Sequence, residues 1–552
     1  MRFDLNHDWQ GNMSTPQALI GQRAKTHLLL VLCAIWICIG LVGHSPWKPF
    51  ESHTISTVKT VLDTGNWIAP TSASHEFITN PPLFYLSAAF TTHLLSPLLS
   101  VLSQYDAARI VTGFWMVITL LMMGMTGREL WGKGVGRQTT FLLIGAMGLV
   151  VSAHTLMPAI SALSGIAISF YAFSLILRKP KRASLLLSLG LSVSFLSTGL
   201  LPLAIILGTC TALPVLFNNW RNRIFFKFLA IALLIASPFL VGWPLLCHYH
   251  YPDQLHIWWQ NSTQSFGQFN YLYYLKTLLW YAWPALPLAV WGFWRYRKQL
   301  LNNPKFQLII TFFAVAFGLI GLGRDNEVFA LPLIIPLTAM AGGSIETLKR
   351  GTASALNWFG LLLLGLMSGL VWLGWIAMIT GSPVKIKERI SFLSGMTHLN
   401  FNWLAFIFAI TITLIWLFAI ARSQHSNRSS ATNWAIGMTC VWTLLMTLWL
   451  PMIESARGYE QVFTSLKQAL PANGACVTST GLGDAQKDLV HYFTNVKTLS
   501  KENGGTINCD LYLIQDEKNR EKVAPGAKWK QIWSGKRVSD RRESFRLFQR
   551  IR

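Results

Sequence analysis

Apolar runs of roughly twenty residues, separated by short polar or basic loops, fill the chain from residue 27 to residue 452. About 20 helical residues cross the hydrocarbon core of a bilayer. In lipid the backbone must satisfy its own polar groups, which favours helices. The alternation predicts spans at 27–43, 109–128, 138–152, 157–177, 184–197, 199–217, 224–246, 275–295, 306–322, 328–347, 355–380, 402–421 and 432–452. A further apolar stretch, 83–102, is excluded from the count. As a span it would carry Arg178-Lys179-Pro180-Lys181-Arg182 to the outside, together with later basic loops. Placed in or on the outer leaflet, it leaves the basic loops near 128–137, 178–182, 220–223, 295–305, 349–350 and 422–428 facing the cytoplasm. The expectation is thirteen helices, with the N-terminus cytoplasmic and the C-terminus periplasmic.

This pattern divides the chain into a polar tail, 1–26, a transmembrane part, 27–452, and a C-terminal region, 455–552. The loop 44–108 is the first of three extracytoplasmic loops large enough to build a site; 247–274 and 381–401 are the others. Periodicity in the C-terminal region changes. A helix is expected over Tyr459–Leu470, with strands at Ala475–Thr478 and Asp510–Ile514. The region reads as a small extracytoplasmic α+β domain, where a Cys476–Cys509 disulfide is chemically permitted.

Composition narrows the class. Only 12% of the 552 residues are charged and 52% are hydrophobic, against about 25% charged in soluble proteins. A soluble enzyme, a DNA-binding protein and a secreted disulfide scaffold are excluded, and no nucleic-acid partner is expected. The net charge of +23 sits largely in the short loops as an orientation signal; membrane lipids, anionic ones included, are the other partners it suits.

Candidate chemistry gathers in the extracytoplasmic loops. Glu51 is the first carboxylate after the first span, where it could serve as a general base or metal ligand. Against that stands a solvated loop glutamate. Arg109 lies on the same side and could fork onto a phosphate or reach for headgroups. Arg324, His53 and His154 are further polar candidates for substrate binding, and Trp258 and Trp259 could stack on a sugar or line a lipid groove. The spacing of His53, His75 and His154 matches no standard metal-ligand pattern. No cofactor is indicated, although a divalent metal is left open. No Walker loop, dinucleotide fingerprint or H-E-x-x-H occurs. Few charges fall inside the spans, which argues against ion-coupled transport.

Several runs then resemble one family. Trp47-x-Pro49-Phe50-Glu51, Gly65-Asn66-Trp67-Ile68-Ala69-Pro70, Asn80-Pro81-Pro82-Leu83-x-Tyr85, Ala107-Ala108-Arg109 and Gly127-Arg128-Glu129-Leu130-Trp131-Gly132 occur in order. Ser197-Thr198-Gly199-Leu200 and Glu327-Val328-Phe329-Ala330-Leu331-Pro332 follow. The set is similar to bacterial GT-C membrane glycosyltransferases of the aminoarabinose transferase type, akin to protein O-mannosyltransferases. The resemblance implies a polytopic α-helical inner-membrane protein with outer-leaflet juxtamembrane helices. It also implies inverting transfer of a sugar from a polyprenyl-phosphate donor to a lipid A-like or protein acceptor outside the membrane.

The chain departs from that family at charged positions. The family's W-x-P-D-E reads Trp47-Lys48-Pro49-Phe50-Glu51, and its E-K-P-P reads Thr79-Asn80-Pro81-Pro82. A second acidic motif falls near Ala159, and a K-G pair is Thr198-Gly199. Two readings follow. In one, Glu51 is the base and Arg109 with Arg324 holds the phosphate. In the other, the chain is a catalytically inactive GT-C paralogue acting as a lipid-binding or assembly subunit.

Overall fold

A computed structural model describes residues 22–95, 97, 102–264, 267–423, 426–471, 476–500, 509–517, 526, 528–540 and 543–551. Most of the N-terminal tail, residues 1–21, and Ala475 of the first expected strand lie outside these. The chain is a polytopic α-helical membrane protein with a small C-terminal sheet. Among the described residues, seven helices are long and apolar enough to cross a membrane: Gln104–Trp131, Arg223–His250, Pro304–Gly321, Glu327–Thr347, Arg350–Thr380, Trp403–Ala421 and Asn427–Arg457. Shorter apolar helices occupy Lys25–Cys38, Ala159–Leu175 and Leu200–Leu216. The helix Leu83–Leu94 has 12 residues, a rise of roughly 18 Å that falls well short of a ~30 Å hydrocarbon core.

Two expected spans are not continuous. The 138–152 run is split into Val135–Ile144 and Met147–Ser152, and the 275–295 run into Tyr271–Tyr281 and Ala285–Arg295. Both breaks have local causes. Gly145 admits the Trp434 indole, which hydrogen-bonds its carbonyl at 2.9 Å; a Cβ there would lie 2.4 Å from the Trp434 ring. Pro284 lacks the N–H that a continuous helix needs. The broken segments then meet, because Met147 N–H donates to the Trp283 carbonyl at 3.2 Å. Irregular backbone at membrane depth is tolerated where protein buries it.

Small side chains bring the helices Ala159–Leu175 and Pro180–Thr198 together. Gly165 and Ser169 face Gly190 and Ser194, the small-xxx-small pattern that lets backbones approach without large knobs. Hydroxyls stitch the neighbouring pair: Ser164 Oγ donates to the Trp115 carbonyl at 2.6 Å and lies 2.8 Å from Thr119 Oγ1. At the periphery, Arg223–His250 and Trp403–Ala421 present large apolar side chains outward, Leu234 and Leu404 among them.

The C-terminal region forms a five-stranded sheet of β1 (Val477–Thr480), β2 (Thr498–Ser500), β3 (Leu511–Glu517), β4 (Trp529–Gly535) and β5 (Glu543–Arg550), in the order β2-β1-β3-β5-β4. β1 runs parallel to β2 and β3, while β5 is antiparallel to β3 and β4. Val477 pairs with Leu511. That register sets the starts of β1 and β3 side by side, and a disulfide joins Cys476 to Cys509 just ahead of them. Helices Glu460–Ala469 and Asp484–Thr494 supply the apolar cover, with Tyr459, Phe463, Leu466 and Leu489 against Phe545 and Leu547.

The small-residue seam gives a direct test. A Cβ on Gly190 would sit 2.7 Å from the Gly165 carbonyl oxygen, and overpacking of this kind costs about 1–3 kcal/mol. Gly190→Leu is expected to lower the melting temperature of the purified protein sharply. Gly369→Leu, with nothing within 4 Å of its Cβ, is expected to leave it unchanged.

Candidate functional site

The turn Trp47-Lys48-Pro49 delivers the chain into a helix, Phe50–Thr64, with Glu51 in its first turn. Glu51 is 2% exposed and Arg109, near the start of the helix Gln104–Trp131, is fully buried. Arg109 Nε donates to Glu51 Oε1 at 2.8 Å and Nη2 to Oε2 at 3.1 Å. The remaining donors go to the His44 carbonyl at 2.7 Å, the Ser45 carbonyl at 3.0 Å and Asp106 Oδ1 at 3.2 Å. A guanidinium has five N–H groups, and all five are used. Glu51 also accepts from the backbone N–H of Trp47 at 2.9 Å and of Leu156 at 3.0 Å. Burial pushes its carboxyl pKa up, but the charges of Arg109 and His44 and the hydrogen bonds outweigh this and hold it below its ordinary value. The pair is complete in itself. It offers no free donor to a phosphate and no open lone pair to a substrate proton.

A second polar cluster lies two residues further along the same helix. Asp488, 1% exposed, comes from the C-terminal region and accepts from Ser74 N–H at 3.0 Å and Ser74 Oγ at 2.8 Å. His53 Nδ1 stands 3.3 Å from Asp488 Oδ2, and its Nε2 stands 2.9 Å from Thr79 Oγ1. A carboxylate only accepts, so Nδ1 carries the proton and Nε2 accepts from the Thr79 hydroxyl. Asn80 donates to the Tyr85 hydroxyl at 3.2 Å. His75 packs edge-on to His53, with ring centroids 5.6 Å apart. Its pKa is lowered, first by burial and then by His53. Thr79 and Asn80 are the positions where the resembled family carries Glu and Lys. The structure thus places His53 and an imported carboxylate beside those substitutions.

The other sequence candidates do not join this cluster. His154 is buried between Trp36 and Trp442, with its ring nitrogens 2.6 Å from the carbonyls of Val150 and Trp36; it packs helices together. Trp258 is core, edge-on to Trp243 and facing Phe195. Its neighbour Trp243 donates to the Ile68 carbonyl at 3.0 Å, so this aromatic group props the far flank of the first loop. Trp259 is 54% exposed. Arg324 is exposed, and its carbonyl accepts the Tyr274 hydroxyl. Among the described residues no group of three or more His, Cys, Asp or Glu side chains is arranged to hold a metal.

Sequence reasoning missed the acidic partners of the first loop. Glu454 accepts from the Trp47 indole at 2.9 Å and from Ser45 Oγ. Glu543 accepts from Lys48 Nζ at 3.1 Å, while Lys48 also lies over the Tyr459 ring. Asp106 alone was locally readable, three residues before Arg109 on one helix face.

No family model matches the chain. It is 23% identical over 401 residues to the undecaprenyl phosphate-alpha-4-amino-4-deoxy-L-arabinose arabinosyl transferase of Pseudomonas savastanoi pv. phaseolicola, covering 68% of this chain and 72% of that one. To the protein of the same name from Serratia proteamaculans it is 22% identical over 472 residues, covering 83% and 82%. Its fold superposes on the crystal structure of ArnT from Cupriavidus metallidurans bound to undecaprenyl phosphate. The TM-score is 0.71 at 13% identity, over 96% of this chain and 98% of that one. The chain has the GT-C fold, shared with that ArnT. The apo state of that ArnT superposes almost as well, with a TM-score of 0.69. The shared fold therefore extends over nearly the whole of both chains.

Removing one partner of the buried pair strands the other. Arg109→Ala or Glu51→Ala is expected to cost about 3–5 kcal/mol, read as a lower melting temperature or loss of folded protein. Acid acts in the same direction through two groups. His75, lowered from 6.5, is stabilising while neutral, and that contribution falls as pH drops below its ordinary value. Glu51, lowered from 4.5, contributes above that value and loses its contribution as pH falls through its depressed pKa. Melting temperature is expected to fall from pH 7.5 to pH 3.5, and His75→Gln should flatten the upper part of that decline, above pH 4.5.

Proposed function

We propose that this chain transfers a sugar from a polyprenyl-phosphate carrier to a lipid A-like acceptor on the extracytoplasmic face of the bacterial inner membrane. The observation that carries the reading is the end-to-end superposition on a transferase bound to undecaprenyl phosphate. The names of the sequence relatives support the same donor class. In such a transfer the acceptor oxygen forms a bond to the anomeric carbon. The sugar–phosphate bond breaks toward the phosphate, and the acceptor proton passes to a base. The reading assigns that base to His53, whose ring Asp488 orients with Nε2 as the acceptor atom. The Thr79 hydroxyl holds that position until an acceptor hydroxyl replaces it. Arg324, exposed between two spans on the same side, meets the charge that develops on the departing phosphate. Glu51 and Arg109 hold the loop that carries His53.

The filled Glu51–Arg109 pair and Phe50 at the family's acidic position favour a second reading, a non-catalytic subunit that keeps the fold for lipid binding or assembly. Mass spectrometry of envelope glycolipids from a deletion strain separates the two. Under the transferase reading, one sugar-bearing lipid disappears on deletion and returns with the wild-type chain. His53→Ala, at matched protein level, should lower it about 10²–10⁴-fold. An unchanged glycolipid profile on deletion would establish the second reading.

A further inference from the structure

Beside the basic loops 295–305 and 349–350, an apolar groove of about 580 Å³ lies between the helix Ala285–Arg295 and the start of the helix Arg350–Thr380. Trp283, Val290, Trp291, Trp294, Leu356 and Phe359 line its walls. Trp291 is fixed by its indole N–H, which donates to Thr347 Oγ1 at 3.1 Å. The Trp283 indole N–H is buried without a partner. From Ala285, where the helix starts, to Trp294 the rise is roughly 14 Å, about half of a ~30 Å hydrocarbon core. The groove thus spans one leaflet.

Its mouth is strongly basic. Arg295, Arg297 and Lys298 follow the groove-lining Trp294, and Lys349 and Arg350 fall between the lining residues Leu348 and Thr352; all five are exposed. Arg297 lies over the Trp294 ring, 4.7 Å from its centroid. The nearby carboxylate, Glu346, is engaged by Arg428. Basic loops of this kind mark the cytoplasmic side, where the leaflet surface carries anionic lipid.

We propose that this groove is a binding site for an anionic glycerophospholipid of the cytoplasmic leaflet, with one acyl chain against Trp291, Trp294 and Phe359 and the headgroup phosphate at Arg295 and Lys349. The groove is one leaflet deep, apolar along its length and cationic at its mouth, which matches such a lipid in both length and charge. A neutral lipid would leave the cations unused. The site is separate from the proposed transfer chemistry and does not depend on it.

Native mass spectrometry of the purified full-length protein tests the assignment, with phosphatidylglycerol and phosphatidylcholine of matched acyl chains as probes. The wild-type protein is expected to retain phosphatidylglycerol preferentially. Arg295→Gln with Lys349→Gln should lower that retention about 25-fold, roughly fivefold for each cation. Ala355→Trp, which fills the groove from its wall, should lower retention of both lipids without changing the melting temperature. Equal retention of the two lipids by wild type, or full retention by the double variant or by Ala355→Trp, would overturn the proposal. Displacement of phosphatidylglycerol by undecaprenyl phosphate at equal concentration would overturn the phospholipid assignment.

Discussion

The buried ion pair between Glu51 and Arg109 is the constraint on which the half of the molecule that carries the first loop and the C-terminal sheet depends. Two charges removed from water are tolerable only when each is fully paired and hydrogen-bonded. Here five donors on one side meet two carboxylates and two carbonyls, while Glu51 also takes the amides of Trp47 and Leu156. The pair ties together the end of the first span, the entry to Phe50–Thr64, the helix Gln104–Trp131 and the turn before Ala159–Leu175. Geometry that seals the charges this completely also withdraws them from chemistry and leaves the histidine two positions further along the same helix as the next titratable group on it.

That residue, His53, shows how the C-terminal region enters the site. Asp488 belongs to the helix Asp484–Thr494, which packs on Phe50–Thr64 while covering the five-stranded sheet. Lys59 donates to the Tyr492 carbonyl at 3.0 Å, and Lys48 reaches Glu543 on β5. The sheet is therefore a clamp on the first loop. Its own rigidity comes from the Tyr459–Phe463–Phe545 core and the cross-link between the starts of β1 and β3.

Within the membrane, close backbone approach replaces the hydrophobic drive that lipid cannot supply. The Gly165–Gly190 seam uses small residues for this. The breaks at Gly145 and Pro284 use each other, since a backbone group freed in one is taken up by the other. Both breaks lie where neighbouring helices cover them, so a run that reads as one span in hydropathy is two helices in space.

The sequence alone determined the membrane class, the apolar helical character of the chain and the family resemblance. These follow from local runs of apolar residues and from motif spacing, both carried by neighbours along the chain. It also placed Glu51 and Arg109 at the two ends of one loop region between apolar runs, and Cys476 and Cys509 in one region. Only the tertiary structure decided that Arg109 spends every donor on Glu51, Asp106 and two carbonyls. It likewise decided that His154 and Trp258 are packing residues, and that Asp488, 435 positions from His53, orients its ring. Pairing of buried charges is settled by what burial leaves unsatisfied, and that depends on segments hundreds of residues apart arriving at one point.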